Sequence, residues 1–461
     1  MLSHLAGRLA SLVPSVEDWW GEGGPDAEMS DAQTAVDASP PAFLADALAA
    51  VSAPQSATEF APGLASGLAS SSAYLPAEIW GEIARFSSRK DILILRSTST
   101  SVKFEADAAI STMTLAGTDA LRAFTHARCF SHITTLRLVD IDDASLHDFA
   151  THLATHPRHD LTLEIENSYR GVARGLGSLS AVPLAMLRLH NVYLIDSVRA
   201  ALGKCPFPIA LSGYFGAGEF VAATRIPTLR TLISPSTEFD DAVAHLVASH
   251  QALQVLSVQA SDNLTSRGIA DLAQMPALQA LSVDQSFFMA RPIDAITARA
   301  LAANRTLERL SIASGIQAPS EETFSFLSES SSLKMLEISV CHGMHRLADI
   351  TSLERLTLCG SRTGPSVSTD LARVVARMPN LHTLRLHATG FATGALRVLL
   401  ENCRSENLHL QRVALLREEV AALLANPHVK VLTLVNVIAS RELLLPLFQH
   451  PTFESLTVDG Q

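Results

Sequence analysis

Short segments of the form LxxLxL return at near-constant intervals, and this constrains the chain more than any other feature. They read ISTMTL (110–115), ITTLRL (133–138), LAMLRL (184–189), LQVLSV (253–258), LQALSV (278–283) and LERLSI (307–312). The series continues with LKMLEI (333–338), LERLTL (353–358), LHTLRL (381–386), VKVLTL (429–434) and FESLTV (453–458). Weaker copies are DLTLEI (160–165), PIALSG (208–213), LRTLIS (229–234) and NLHL (407–410). From Ile110 to Phe453 the mean step is about 24.5 residues, within the range of repeats that contribute one strand each. Between them lie helix-like stretches such as DDAVAHLVASH (240–250), RGIADLAQM (267–275), ITARALAAN (296–304) and REEVAALLAN (417–426). Several stop at Asn or Met before Pro, as in Asn426-Pro427 and Met275-Pro276. One strand and one helix per repeat predict an α/β solenoid over 110–461, with a helical module at 71–109 and a disordered segment at 1–70 before it.

Composition narrows the function classes. Of 461 residues 48% are hydrophobic, enough for a core along most of the chain. The formal charge of −11 is concentrated at the front: residues 1–70 carry nine acidic side chains against Arg8 alone. They are also rich in Ala, Ser, Pro and Gly and lack the apolar spacing that offsets ordering entropy. No basic tract is present to neutralise phosphates, so nucleic acid is not an expected partner. No run of 18 apolar residues occurs, so no transmembrane segment is expected. The five cysteines show no CxxC spacing, which fits a reducing compartment better than a disulfide scaffold. Cys341-His342 and His345 lack an evident fourth ligand, so no metal is expected, and no cofactor motif is present.

The stretch from Leu75 to Ser99 reads LPAEIWGEIARFSSRKDILILRSTS. Pro76 suits a first helical turn, and Ile79, Ile83 and Phe86 make one apolar face. Asp91 is placed to cap a second helix carrying Ile92 and Leu95. So short a module cannot bury that surface alone, and a partner is implied. The stretch resembles the F-box, by which substrate receptors join a Skp1-type adaptor of a cullin ubiquitin ligase. The resemblance implies adaptor contacts from Leu75, Pro76, Ile79, Trp80, Ile83, Phe86, Ile92 and Leu95.

An F-box followed by these repeats resembles the F-box/leucine-rich-repeat receptors of SCF ubiquitin ligases, and implies a horseshoe-shaped leucine-rich-repeat solenoid. Gly268-Ile269-Ala270-Asp271-Leu272-Ala273 and Ala298-Arg299-Ala300-Leu301-Ala302 are similar to the GAxALA signature of GALA effectors, which plant-pathogenic bacteria deliver by type III secretion. The implied protein is a non-catalytic adaptor acting in the host cytoplasm or nucleus, with a Lys-free N-terminal segment as secretion signal. The alternative is a stand-alone repeat module for protein interaction, its 75–99 stretch serving only as a cap. No catalytic constellation is found: Cys403 is followed by Arg404-Ser405, and HExxH, GxSxG and phosphate-loop patterns are lacking.

Two structural expectations complete the reading. In this repeat class an Asn or Cys at the ninth position bonds backbone groups of the turns. Here that position holds Thr118, Thr237, Ser261, Ser286, Cys341, Ser361 or Thr389 in seven of twelve repeats, which predicts a hydroxyl ladder. Residues between the inward leucines face the concave side, where Arg309, Glu337, Arg355, Arg385, His387 and His409 are the candidate target contacts. The last strand, FESLTV, has no following helix in the sequence, so the final two repeats, residues 429–461, are expected to open first.

Overall fold

A computed structural model describes residues 112–121, 133–166, 172–261, 263–285, 293–313, 321–341, 343–360 and 366–459. The acidic segment 1–70 and the F-box-like stretch, from Leu75 through Leu95, lie outside the described residues. Among those described, fifteen strands form one sheet in sequential order with every neighbouring pair parallel. The first are β1 (Thr112–Ala116), β2 (Thr135–Val139), β3 (Thr162–Glu166), β4 (Met186–His190) and β5 (Ile209–Ser212). β6 (Leu229–Phe239), β7 (Val255–Ala260), β8 (Ala280–Gln285), β9 (Arg309–Ala313) and β10 (Met335–Ser339) follow. The series ends with β11 (Arg355–Cys359), β12 (Thr383–His387), β13 (Asn407–Gln411), β14 (Val431–Val435) and β15 (Ser455–Asp459). Each coincides with one of the fifteen sequence segments. The described region is a leucine-rich-repeat solenoid.

Register makes the core. From β7 on, Leu256, Leu281, Leu310, Leu336, Leu356, Leu384, Leu408 and Leu432 pair in one column, each at most 2% exposed. A second column of Val258, Val283, Ile312, Ile338, Leu358, Leu386, Leu410 and Leu434 is equally buried. Full burial of each such side chain stabilises by about 1.5–3 kcal/mol. PIALSG departs from the expected alignment. Ile209 and Leu211, not the expected Leu211 and Gly213, continue the columns of Leu187 and Leu189. The register then shifts between Ile209 and Ala210, so Leu211 pairs with Leu232, and Leu232 with Leu256. An irregularity in the eleven-residue β6 absorbs the change.

Helices α1 (Asp143–Thr155), α2 (Ala173–Leu179), α3 (Asp196–Leu202), α4 (Ala217–Ala223), α5 (Asp241–Ala248) and α6 (Ser266–Ala273) alternate with the strands. They continue as α7 (Ala295–Ala303), α8 (Glu321–Leu327), α9 (Thr369–Ala376), α10 (Ala395–Asn402), α11 (Arg417–Ala425) and α12 (Arg441–Phe448). A 3₁₀ turn at Met344–Asp349 takes the helix's place between β10 and β11. Asp142, Asp240 and Asp294 accept N-cap hydrogen bonds from Ser145, Val243 and Thr297 at 2.7, 2.9 and 2.8 Å, and Ser368 and Ser440 cap α9 and α12 likewise. Such a cap contributes about 1 kcal/mol.

Leaving the strands, the chain turns through left-handed residues at Asp140, Asn191, Ala388, Arg412 and Asn436, with φ between 49° and 54°. That conformation costs a non-glycine roughly 1–2 kcal/mol. Each of these amides donates to the next repeat, from Asp140 to Glu166 O at 3.0 Å through Asn436 to Asp459 O at 2.9 Å, so the ladder compensates the strain.

Between α5 and α6 the Asp241 carboxylate accepts from Thr265 N at 2.7 Å and from Gly268 N at 3.2 Å. A Cβ on Gly268 would lie 2.5 Å from Asp241 Oδ1 and 2.7 Å from Leu264 Cδ1. The glycine of the GAxALA-like stretch thus permits close helix approach. In an open helix Gly→Ala gains roughly 0.5–1 kcal/mol. Gly268→Ala is expected instead to lose about 1–3 kcal/mol by overpacking, whereas Gly218→Ala in α4, with open space at its Cβ, is expected not to lose stability. Denaturant midpoints of the two variants check the sign.

Within the described sheet β15 pairs with β14 alone, and Leu456 and Val458 stay half-buried where their counterparts are buried. Hydrogen exchange is expected to open residues 429–459 before residues 253–312. Equal protection of the two segments would remove the idea of a loose last repeat.

Candidate functional site on the strand face

Between and on either side of the two buried columns the strands present three outward rows. In the second half of the sheet the first row runs Arg309, Met335, Arg355, Thr383, Asn407. The middle row runs Ser311, Glu337, Thr357, Arg385, His409, and the third includes Ser339, Cys359, His387 and Gln411. All six expected contacts therefore fall on one field spanning β9 to β13, with strands about 4.8 Å apart. Arg309 is exposed, and Glu337, Arg355, Arg385, His387 and His409 are half-buried.

The first half of the same face is chemically different. Arg137 Nη2 donates to Glu166 at 2.5 Å and Arg188 Nη1 to Glu164 at 2.8 Å, crossing between strands. His190 Nδ1 and Ser212 Oγ hydrogen-bond at 2.6 Å. Burial holds the His190 imidazole below its ordinary pKa and favours its neutral form. These charges satisfy one another. On β9–β13, Glu337 accepts from Ser311 Oγ at 3.1 Å and from Cys359 Sγ at 3.5 Å. Arg309 and Arg385 have no ion pair among the described residues.

Burial, then the nearby Arg412 charge, lowers the pKa of His387. The Cys359 thiol is raised far above its ordinary value, first by burial and then by the Glu337 charge. Cys341 and Cys205 are pushed up to about 12 and about 11 by burial, which makes them packing residues near neutral pH. Among the described residues no group of three His, Cys, Asp or Glu is placed to hold a metal, and no helix is long and apolar enough to cross a membrane.

The expected hydroxyl ladder is present in part. Ser261 Oγ accepts from Asn263 N at 3.2 Å, Thr237 is exposed, and the non-hydroxyl ninth positions Ile141, Val192, Val413 and Val437 are buried. Thr389 does bond as expected, donating to Leu358 O at 2.9 Å. Ser286 and Ser361 lie outside the described residues. A second ladder runs at the helix-to-strand turn. Asn304 Nδ2 donates to Ala273 O at 2.8 Å and Met275 O at 3.1 Å, and Asn426 Nδ2 to Leu400 O at 2.6 Å and Cys403 O at 2.9 Å. His250 Nε2 and Ile226 O share a 2.9 Å contact in the same role. The asparagines that stop α7 and α11 are thus also the bolts between repeats.

A further charged row had a clear but unread signal in the second position of LxxLxL. Glu308, Lys334, Glu354, His382, Glu406, Lys430 and Glu454 follow one another along the strand entrances. Lys334 bonds Glu308 at 3.0 Å and Lys430 bonds Glu406 at 2.9 Å, holding the Glu406 carboxyl below its ordinary pKa. Such exposed pairs contribute roughly 0–1 kcal/mol, and the row mainly fixes the electrostatic border of the site.

No protein-family model and no curated protein sequence matches the chain. Solved structures with a similar chain path include an internalin of Listeria monocytogenes, 12% identical over 81% of this chain and 94% of that one, TM-score 0.37. A leucine-rich-repeat protein of Leptospira interrogans is 11% identical over 77% and 98%, TM-score 0.36. Toll of Drosophila, solved with Spatzle, is 12% identical over 75% of this chain and 43% of that one, TM-score 0.35.

Asp284 on β8 retains an exposed side, yet crowding by the protein and then the Glu337 charge raise its carboxyl pKa. The fold therefore favours the protonated form. Stability from this group is present at low pH and is lost as pH rises from the ordinary carboxylate range through the raised value. Asp284→Asn should accordingly be more stable than the parent at about pH 7, with the gap closing toward about pH 4. Urea midpoints across that range check this, and a gap that widens on acidification would contradict it.

Proposed function

We propose that this chain is a substrate-recruiting adaptor. Its stretch at 75–99 binds a Skp1-type adaptor, and through it a cullin ubiquitin ligase, while the β9–β13 face holds the target protein. The observation that carries the reading is the pairing in one chain of an F-box-like motif with a fifteen-strand repeat sheet. Support for the target face comes from its chemistry. Arg309 and Arg385 are uncommitted among the described residues, whereas the arginines of the first half are engaged in ion pairs. Arginine beside half-buried polar residues suits an interface anchor. The Lys-free, Ser- and Ala-rich front segment and the GAxALA-like stretch favour a bacterial effector delivered by type III secretion into the host cell, acting in its cytoplasm or nucleus.

Co-purification of the full chain with a Skp1-type adaptor tests the reading. Leu75→Ala combined with Pro76→Ala should abolish capture while leaving the repeat domain's thermal transition in place. Losing one buried Leu costs about 2–5 kcal/mol, or more than tenfold in affinity. Undiminished capture by the double variant, or none by the parent, would leave a stand-alone repeat module.

A further inference from the structure

At one edge of the solenoid the adjacent helices α3 and α4 lack the Asp, Ser or Thr side-chain cap found at α1, α5, α6, α7, α9 and α12; α2, α10 and α11 lack it too. Where α1, α5, α7, α9 and α12 begin with Asp or Ser, α3 begins after Ile195 and α4 after Gly216. Ile195 is 53% exposed, at a position where a polar residue would stabilise its helix. Two residues before each of these caps stands a tyrosine: Tyr193, 58% exposed, and Tyr214, 75% exposed. The tyrosines thus hold equivalent places in adjacent repeats, each next to a buried Leu194 or Phe215 that anchors its loop.

Beside this ledge opens a cleft of about 570 Å³, bordered by Ile195, Gly216, Ala217, Glu219 and Glu238 among others. Gly216 leaves a notch there, since a Cβ at this residue would lie 3.2 Å from Glu238 Oε2. Glu238 Oε2 accepts from Ala217 N and Glu219 Oε2 from Gly216 N, both at 3.0 Å, which fixes the two carboxylates at the cleft. Neither has a cationic partner among the described residues, because the nearby Arg199 is bonded to Asp196 at 2.8 Å.

We propose that this edge is a second docking site, separate from the strand face, for a protein segment in which arginine or lysine alternates with apolar residues. The cation enters the cleft toward Glu219 and Glu238 and crosses the tyrosine rings, which attract cations through their faces. The neighbouring apolar side chain covers Ile195. Charge complementarity selects the occupant: with Asp196 and Arg199 at the same cleft paired to each other, Glu219 and Glu238 leave it net negative, so it accepts a basic amphipathic segment and repels an acidic one.

Fluorescence anisotropy with the full chain at physiological salt tests this, using a labelled peptide of alternating arginine and leucine as probe. The peptide should bind, and replacing its arginines by glutamate or its leucines by serine should abolish binding. Tyr214→Ala and Glu238→Gln should each weaken it about tenfold or more, in the manner of interface anchors. The glutamine keeps an oxygen to accept from Ala217 N, so the loss reports charge rather than loop structure, and unchanged thermal transitions verify folding. Arg385→Glu on the strand face should leave the affinity unchanged. Three outcomes would overturn the site: no binding, equal binding of the serine-substituted peptide, or insensitivity to both edge variants. Loss with Arg385→Glu alone would place the peptide on the strand face instead and leave the adaptor reading untouched.

Discussion

Parallel pairing in continuous register is the interaction on which the rest of this molecule depends. With side chains alternating across a strand, a slip of one residue would send Leu384 or Leu408 to solvent and bring Arg385 or His409 into the core. Adjacent repeats therefore hold one another to a single alignment, and every outward row inherits its order from the inward columns. Where register does change, at β6, the sheet needs eleven residues and two irregularities to recover. The strand face is divided: internally paired charges lie on β2–β4, and Arg309 and Arg385, without an ion pair among the described residues, lie on β9–β13.

Much of this was legible because leucine spacing records both period and facing. All fifteen strand positions, and the grouping of Arg309, Glu337, Arg355, Arg385, His387 and His409, follow from counting alternate residues. The failures have physical causes too. PIALSG contains Pro208, Ile209 and Leu211 close enough to satisfy two alignments, and only pairing with Leu187 and Leu189 decides between them. The hydroxyl ladder is only partial, kept at Ser261 and Thr389, because a small polar residue at the ninth position is compatible with bonding but does not require it. Ile141 and Val413 fill the same space with apolar volume. Asn304 and Asn426 read as helix stops, which they are, but their cross-repeat bonds depend on where the preceding repeat's carbonyls lie.

Strain and its compensation are distributed in the same repeating way. The left-handed residues after β2, β4, β12, β13 and β14 would each be costly in isolation. Their amides extend the strand ladder by one more bond, so turn geometry and sheet pairing stabilise each other. A solenoid tolerates residues as dissimilar as Asp140, Ala388 and Arg412 at this point because the backbone bond, not the side chain, holds the turn. Side-chain identity there is free to vary with function. Arg412 illustrates this: its charge adds to burial in lowering the pKa of His387 while its backbone turns the chain.

The same separation of scaffold from surface explains how one array can present two unlike recognition chemistries. The strand face is crowded, so its groups modify one another: burial and then the Glu337 charge raise the pKa of Asp284 and Cys359, and burial lowers that of His387. Binding there must rearrange a shared network of charge and hydrogen bonds. The loop edge is open, and its Tyr193, Ile195 and Tyr214 extend from loops whose buried Leu194 and Phe215 are already fixed in the core. Little further ordering is needed for those side chains to meet a partner, which lowers the entropic cost of association. A face built on a shared charge network and an edge that combines two fixed carboxylates with exposed apolar and aromatic side chains can therefore act on one bound protein without competing for the same residues.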